Sequence, residues 1–326
     1  MSSDPEQEYF SDGISEELIN TLAKTPELRV ISHTSAFVLK GRDVDIPTIA
    51  RQLDVSHVLE GSVRKSEHQV RITVQLVEAN TDTHLWSQSY DRDFTDIFEI
   101  QDDIARNVAD KIEVSLLGVS RQAKPADPEA YRLYLMGRHH LNKYETQEAI
   151  EYFQEAIKLD PGHAQAHLSV AYCFAAMTFF GFIAPHQGYE KVKAEIALAL
   201  EIDKDLPEAH REVAAMNCYF DWDWERADDA FQRAISLVPN DAQSYQIYAW
   251  CLAAMGRVEE AHAMVVRALE LEPLSPSIYL TASHVFYFSH QYDRAILQCQ
   301  RALELNPGDP LALSEIGWSY LQSGMH

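Results

Sequence analysis

Apolar positions in this chain keep two different periods. Val70, Ile72, Val74 and Leu76 alternate with Arg71, Thr73 and Gln75. That period of two predicts a strand with one dry and one wet face. From about residue 130 onward the spacing is helical, and a longer period overlies it. Ala149-x3-Phe153-x2-Ala156-x4-Pro161 is repeated as Ala227-x3-Phe231-x2-Ala234-x4-Pro239, as Ala261-x3-Val265-x2-Ala268-x4-Pro273 and as Ala295-x3-Cys299-x2-Ala302-x4-Pro307. Pro239, Pro273 and Pro307 lie 34 residues apart, the period of a helix–turn–helix repeat that buries little until its neighbours stack on it. The alanines let paired helices approach closely. The proline ends the second helix of each pair and turns the chain toward the next.

The first 118 residues do not share this period. A helix is expected to begin near Ser11 or Asp12 and run through Ile14, Leu18 and Leu22. Leu28-Arg29-Val30-Ile31 reads as a short strand. Pro47 suits the first turn of a second helix, with Ile46, Ile49 and Leu53 on one face. Val58 to Lys65 precedes the alternating strand across Ser66-Glu67-His68, and Leu85 to Tyr90 follows it across Asn80 to Thr83. Three strands with short links make an antiparallel meander. A third helix is expected from Ile97 to Leu117. The order α-β-α-β-β-β-α predicts a small α+β sandwich over residues 1–118. A linker at 119–128, rich in alanine and proline, then leads into an all-α solenoid over 129–326.

Five repeats fit the solenoid, with a partial sixth. Repeat one starts near Ala130, with Leu133, Met136 and Gly137 where its first helix faces its second. Repeat two starts near Ala164, and repeats four and five near Ala242 and Pro276. Repeat two is nine residues too long, an excess placed at Phe179 to Gln187, and repeat three has one extra residue, placed at Asp221 to Trp224. The sixth starts near Pro310 and shows a first helix alone, with Leu313, Ile316, Gly317 and Tyr320. Both ends of the chain read as cuts through structural units.

Charge narrows the partners. The formal net charge is −23, spread along the chain, which repels nucleic acid and anionic lipid. Neither a run long enough to span a bilayer nor a secretory leader is visible, so the sequence as written is expected to be cytoplasmic. The four cysteines, Cys173, Cys218, Cys251 and Cys299, form no CxxC pair and are expected to be buried thiols. His139-His140 and His163-x3-His167 lack the further ligands a metal needs. Phosphate loops, HExxH and Gly-x-Ser-x-Gly are not found. No catalytic residue, cofactor or metal is expected, and the chain is not expected to be an enzyme.

Three segments carry a resemblance. Asp4 to Leu18, Val58-Leu59-Glu60-Gly61-Ser62-Val63-Arg64 and Leu85-Trp86-Ser87-Gln88-Ser89-Tyr90-Asp91-Arg92 resemble the TolB amino-terminal/FlgO-like α/β domain of bacterial signalling proteins. The later repeats resemble tetratricopeptide repeats. In such proteins this pair of regions follows a class III adenylate cyclase or winged-helix effector, and sometimes a membrane span that would place this half in the periplasm. The apolar strand that precedes the first segment in that family has no counterpart here. The repeat resemblance implies that the first helix of each pair lines a concave groove. Its second, fifth, ninth, twelfth and thirteenth positions hold Tyr131, Tyr134, Arg138, Tyr172, Arg211, Tyr219, Trp250, His284, Tyr287, Phe288 and Trp318. This lining is aromatic and short of the lysines that clamp a carboxylate tail, and it suits an apolar or aromatic peptide or helix. The expected function is a non-enzymatic scaffold or regulatory module with a protein or peptide partner. The alternative is a sensory fragment of a cyclase or winged-helix regulator that binds a small ligand in the α/β domain. Self-association through an unpaired sheet edge is a third expectation.

Overall fold

A computed structural model describes residues 5–25, 28–40, 44–66, 69–112, 127–143 and 145–324. The amino-terminal elements are α1 (Pro5–Ala23), α2 (His33–Phe37), α3 (Ile46–Leu53), β1 (His57–Ser66), β2 (Gln69–Glu78), β3 (Thr83–Asp93) and α4 (Ile97–Lys111). β2 is the centre of an antiparallel sheet, in register Val63↔Ile72 and Ile72↔Tyr90. The alternation predicted its faces correctly. Val70, Ile72, Val74 and Leu76 are buried in one cluster with Phe10, Ile14 and Leu18 of α1 and with Ile97, Ile100 and Ile104 of α4. On the wet face Arg71 pairs with Asp91, and the Thr73 and Ser89 hydroxyls meet at 3.0 Å. Pro47 lies in the first turn of α3, where Asp45 caps the helix by accepting from the Thr48 N–H at 2.7 Å.

The amino-terminal region departs from the expected order in two places. α1 starts at Pro5, so Ser11 and Asp12 lie within it instead of capping it. Asp12 instead takes the Lys40 ammonium at 2.6 Å. Leu28 to Ile31 is not a strand. Two of its polar groups reach the repeats: the Asn240 side-chain amide donates to the Leu28 carbonyl, and Arg29 donates to the Glu270 carbonyl at 2.7 Å. Among the described residues the sheet has three strands, covered by helices on one face. Most of the expected linker, the end of the third helix beyond Ile112, and Glu67-His68 lie outside the described residues. Asp127, at the expected linker's end, caps the next helix by accepting from Glu129 N–H at 2.7 Å.

The remaining helices pair in sequence: α5 (Pro128–Asn142) with α6 (Thr146–Leu159), α7 (Ala164–Phe179) with α8 (Pro185–Ile202), α9 (Pro207–Met216) with α10 (Trp224–Leu237), α11 (Ala242–Ala254) with α12 (Val258–Leu271), and α13 (Pro276–Phe288) with α14 (Tyr292–Leu305). α15 (Pro310–Ser323) packs on α13 and α14. The repeated alanines and the residue between them are the seams. Ala149, Phe153, Ala156, Ala227, Phe231, Ala261, Val265, Ala295 and Cys299 are all buried. At Gly137 an added Cβ would stand 2.5 Å from the Phe153 ring, so this close crossing requires glycine.

The two irregular repeats solve their excess length differently. In repeat two, α7 runs to Phe179 and α8 to 18 residues, so much of the excess becomes extra helix, with Gly188 crossing tight against Thr178. Phe179, Phe180 and Phe182 remain exposed around that turn. In repeat three the extra residue is absorbed just ahead of the expected turn, in a π-helical turn at Asn217–Asp221, before Trp222 reverses the chain at φ 55°.

Candidate functional site

Helices α5, α7, α9, α11, α13 and α15 present the proposed groove positions, and those positions fall into two environments. In the first repeats they are filled. Tyr131 is buried on α4, where its ring sits 4.7 Å from Phe98 and its hydroxyl accepts from Gln101 at 3.2 Å. Tyr134 is buried between the rings of Phe153 and His163. Arg138 donates to the Tyr134 hydroxyl at 2.9 Å and pairs with Glu16 of α1. Burial works against the Arg138 charge, but Glu16 and Tyr134 outweigh it and hold the guanidinium protonated. In α9, Arg211 is 4% exposed and bonds Tyr172 Oη and Asp241, each at 2.6 Å. These four predicted contact residues, Tyr134, Arg138, Tyr172 and Arg211, are internal ties.

At Tyr131 and Arg138 the filling comes from the amino-terminal region, and at Tyr134, Tyr172 and Arg211 from the repeats themselves. α1 lies against α5. Glu17, on α1, has its carboxyl pushed up to about 7, first by burial and then by the neighbouring Glu16. Burial lowers the Lys24 ammonium against the pull of Glu208 on α9 and of Glu17. Beyond α1 the chain runs along the turns between repeats. Asn240 donates to the carbonyls of Thr25 at 3.2 Å and Leu28, and its own carbonyl accepts from Arg267 at 3.2 Å. Leu274 N–H donates to Ser35 Oγ at 3.3 Å, and the Leu274 side chain packs on Ile31, Leu39 and Leu53. Sequence spacing gave no signal for Glu16, Glu17, Lys24 or Asn240, because their partners lie far away along the chain.

In the later repeats the groove positions stay open. Tyr219 and Trp250 meet edge to face at 5.0 Å, with Tyr219 39% exposed. Tyr287 packs edge to face on Phe288 and on Tyr292. Phe288 and Trp318 are 47% and 54% exposed. His284 is half-buried and meets Glu315 at 2.7 Å. Behind the Tyr219–Trp250 pair, Cys218 and Cys251 form a disulfide with Cα atoms 6.3 Å apart. The expectation of four thiols therefore fails for this pair, because successive first helices bring the two cysteines into bonding range. Cys173 and Cys299 are buried thiols, each pushed up to about 12, chiefly by burial.

Chemistry elsewhere is sparse. Among the described residues no three metal-ligating side chains gather. His140 meets Glu145 and His167 meets Glu195, each at 2.7 Å. A cleft of about 160 Å³ opens between α1 and α5, with Glu8, Asp12 and Glu16 on one wall and Arg138, His139 and Lys143 on the other. No described helix is long and apolar enough to cross a membrane.

Known proteins resemble this arrangement. Tetratricopeptide-repeat family models match residues 130–163 and 230–263. A Rhizobium meliloti (strain 1021) protein named "Putative adenylate cyclase 3" is 36% identical over 226 residues, 66% of this chain and 38% of that protein. The transcriptional regulator HilA of Salmonella typhimurium is 25% identical over 167 residues, 50% of this chain and 30% of its own length. The chain thus spans well under half of either relative. Among solved structures, PilW, a type IV pilus biogenesis factor, superposes with TM-score 0.51 at 16% identity, over 61% of this chain and 88% of its own. A human IFIT1 dimer with m7Gppp-AAAA gives 0.54 at 14% identity, over 70% of this chain and 52% of its own. At these identities the superpositions speak for the fold alone. Paired helices with alanine seams, family matches within them and the solved neighbours together make the carboxy-terminal region of this chain a run of tetratricopeptide repeats.

Proposed function

We propose that the chain is a non-catalytic interaction scaffold of a bacterial signalling protein, and that it takes a peptide or helix on the open half of its inner face. The carrying observation is the contrast between the two halves. Tyr134, Arg138, Tyr172 and Arg211 are occupied in cis, whereas Tyr219, Trp250, His284, Tyr287, Phe288 and Trp318 form an aromatic lining that reaches solvent. Exposed aromatic rings in a concave surface are the groups that anchor partners most strongly. The scarcity of free cations there favours an apolar segment over an acidic tail. The adenylate cyclase-named and HilA relatives support a signalling context. On this reading residues 1–118 are a TolB amino-terminal/FlgO-like domain that relays or stabilises the repeat array.

A second reading, a small-ligand sensor, is favoured by the cleft between α1 and α5. Its charged walls already pair with one another through Arg138–Glu16, which leaves less for a ligand to gain.

The test compares the proteins retained by the wild-type chain with those retained by a Trp250→Ala, Phe288→Ala, Trp318→Ala variant of unchanged melting temperature. The expected result is loss of the principal partner from the variant, by at least about tenfold in affinity for three anchor residues. Equal retention by both would overturn the site.

A further inference from the structure

The contacts between the segment that follows α1 and the repeats advance along both in the same direction. Lys24 is drawn toward Glu208 of α9. The Thr25 and Leu28 carbonyls accept from Asn240, in the turn between α10 and α11. Arg29 donates to the Glu270 carbonyl, near the end of α12, at 2.7 Å. Ser35 Oγ accepts from Leu274 N–H, in the turn between α12 and α13, at 3.3 Å. Successive points on the segment thus meet successive points on the array, as a bound peptide would.

We infer that the row Glu208, Asn240, Glu270 and Leu274 is a peptide-binding surface, occupied here by the chain's own Lys24-Thr25 and Leu28 to Ser35, and that a segment of the same pattern supplied in trans displaces them. The pattern is a cation, two backbone carbonyls three residues apart, a guanidinium, and a hydroxyl six residues beyond it. None of the row belongs to the aromatic lining, so it is a second site on the array. It differs from the alanine seams that hold the helices together. The seams are apolar and closely packed, whereas the segment is attached through single hydrogen bonds at helix ends and turns, with Leu28 and Val30 only half-buried. Some of its buried polar groups are poorly matched. Thr25 is 0% exposed, and among the described residues neither its hydroxyl nor Glu208 Oε2 has a hydrogen-bond partner. Burial also works against the Lys24 ammonium. Each of these groups costs free energy in the closed arrangement and regains it when water reaches the group. The closed segment keeps Asn240 at 5% exposure, so its amide is withheld from any other chain until the segment leaves.

The probe is a fluorescent peptide with the sequence of residues 21–36, titrated by anisotropy against the full chain. In the wild type the tethered segment competes at an effective concentration of roughly a millimolar, so weak binding is expected. A variant with Arg29→Ala and Ser35→Ala loosens the tethered copy and leaves the row intact. It should bind the peptide at least about tenfold more tightly than the wild type does. Adding Asn240→Ala should remove that gain, and a peptide in which residues 28–35 run in reverse order should not bind. Native-state amide exchange of the wild type gives a reading that does not depend on the variant folding: residues 28–35 should open without α1 or α12. No saturation of a folded loosened variant up to about a millimolar, equal affinity for it and the wild type, or affinity untouched by Asn240→Ala would overturn the inference. Exchange of residues 28–35 only together with α1 and α12 would also overturn it, making the segment a fixed part of the core.

Discussion

Arg138 and Arg211 are guanidinium groups drawn out of water, and each keeps its charge because carboxylates and tyrosine hydroxyls surround it. Glu17 is the reverse case: a carboxyl held near pH 7, mainly because burial penalises its ionised form. The direction of the linkage follows. Below about pH 4.5 the group is protonated in both folded and unfolded chains and contributes nothing. Between there and its folded value near 7, the unfolded chain ionises first, so Glu17 costs stability progressively, and above that the cost is constant. Glu17→Gln should match the wild type near pH 4 and exceed it near pH 8 by on the order of 3 kcal/mol. Chemical denaturation at the two pH values measures this difference. Parallel curves at both would show that Glu17 is not held in its protonated form.

At the scale of elements, the segment from α1 to α2 is bound to the repeats by few but buried groups. Asn240 donates to the Thr25 and Leu28 carbonyls and accepts from Arg267. Asn240→Ala removes the side-chain donor from the Leu28 carbonyl, while the Thr25 carbonyl keeps the Leu28 N–H at 3.0 Å, at a cost of about 1–3 kcal/mol. The loss should appear as faster amide exchange across residues 18–39, while α13 and α14 are unchanged. Unaltered exchange there would mean that the segment is held by packing alone. The helix pairs and the alternating β2 strand were legible because their signals are local: a period of two, and a 34-residue period anchored by alanine and proline. The ties were not legible, because Arg138 and Glu16 are 122 residues apart and Asn240 and Leu28 are 212 apart. The same gap explains why Leu28 to Ile31 was read as a strand. Its β-branched residues suit extended backbone, but Leu28 and Arg29 bond the Asn240 side chain and the Glu270 carbonyl of the repeats, and no described strand pairs with it.

At the scale of the whole molecule, an array of repeats held only by its neighbours unfolds piecemeal from its ends. Here the amino-terminal segment touches repeats one, three and four, and so links units that are not adjacent. Contacts with α1 and ties within the repeats together occupy Tyr134, Arg138, Tyr172 and Arg211, whereas Phe288 and Trp318 stay exposed, a difference that no position rule applied repeat by repeat could anticipate. Net charge of −23 leaves nucleic acid an unfavoured occupant of the open half. The most direct measurement places a photo-crosslinking side chain, in the full-length chain, at Tyr172, at Phe288 or at Trp318. The account predicts that positions 288 and 318 crosslink to a partner and that position 172 yields only crosslinks within the chain. Partner crosslinks from position 172, with none from 288 or 318, would contradict it.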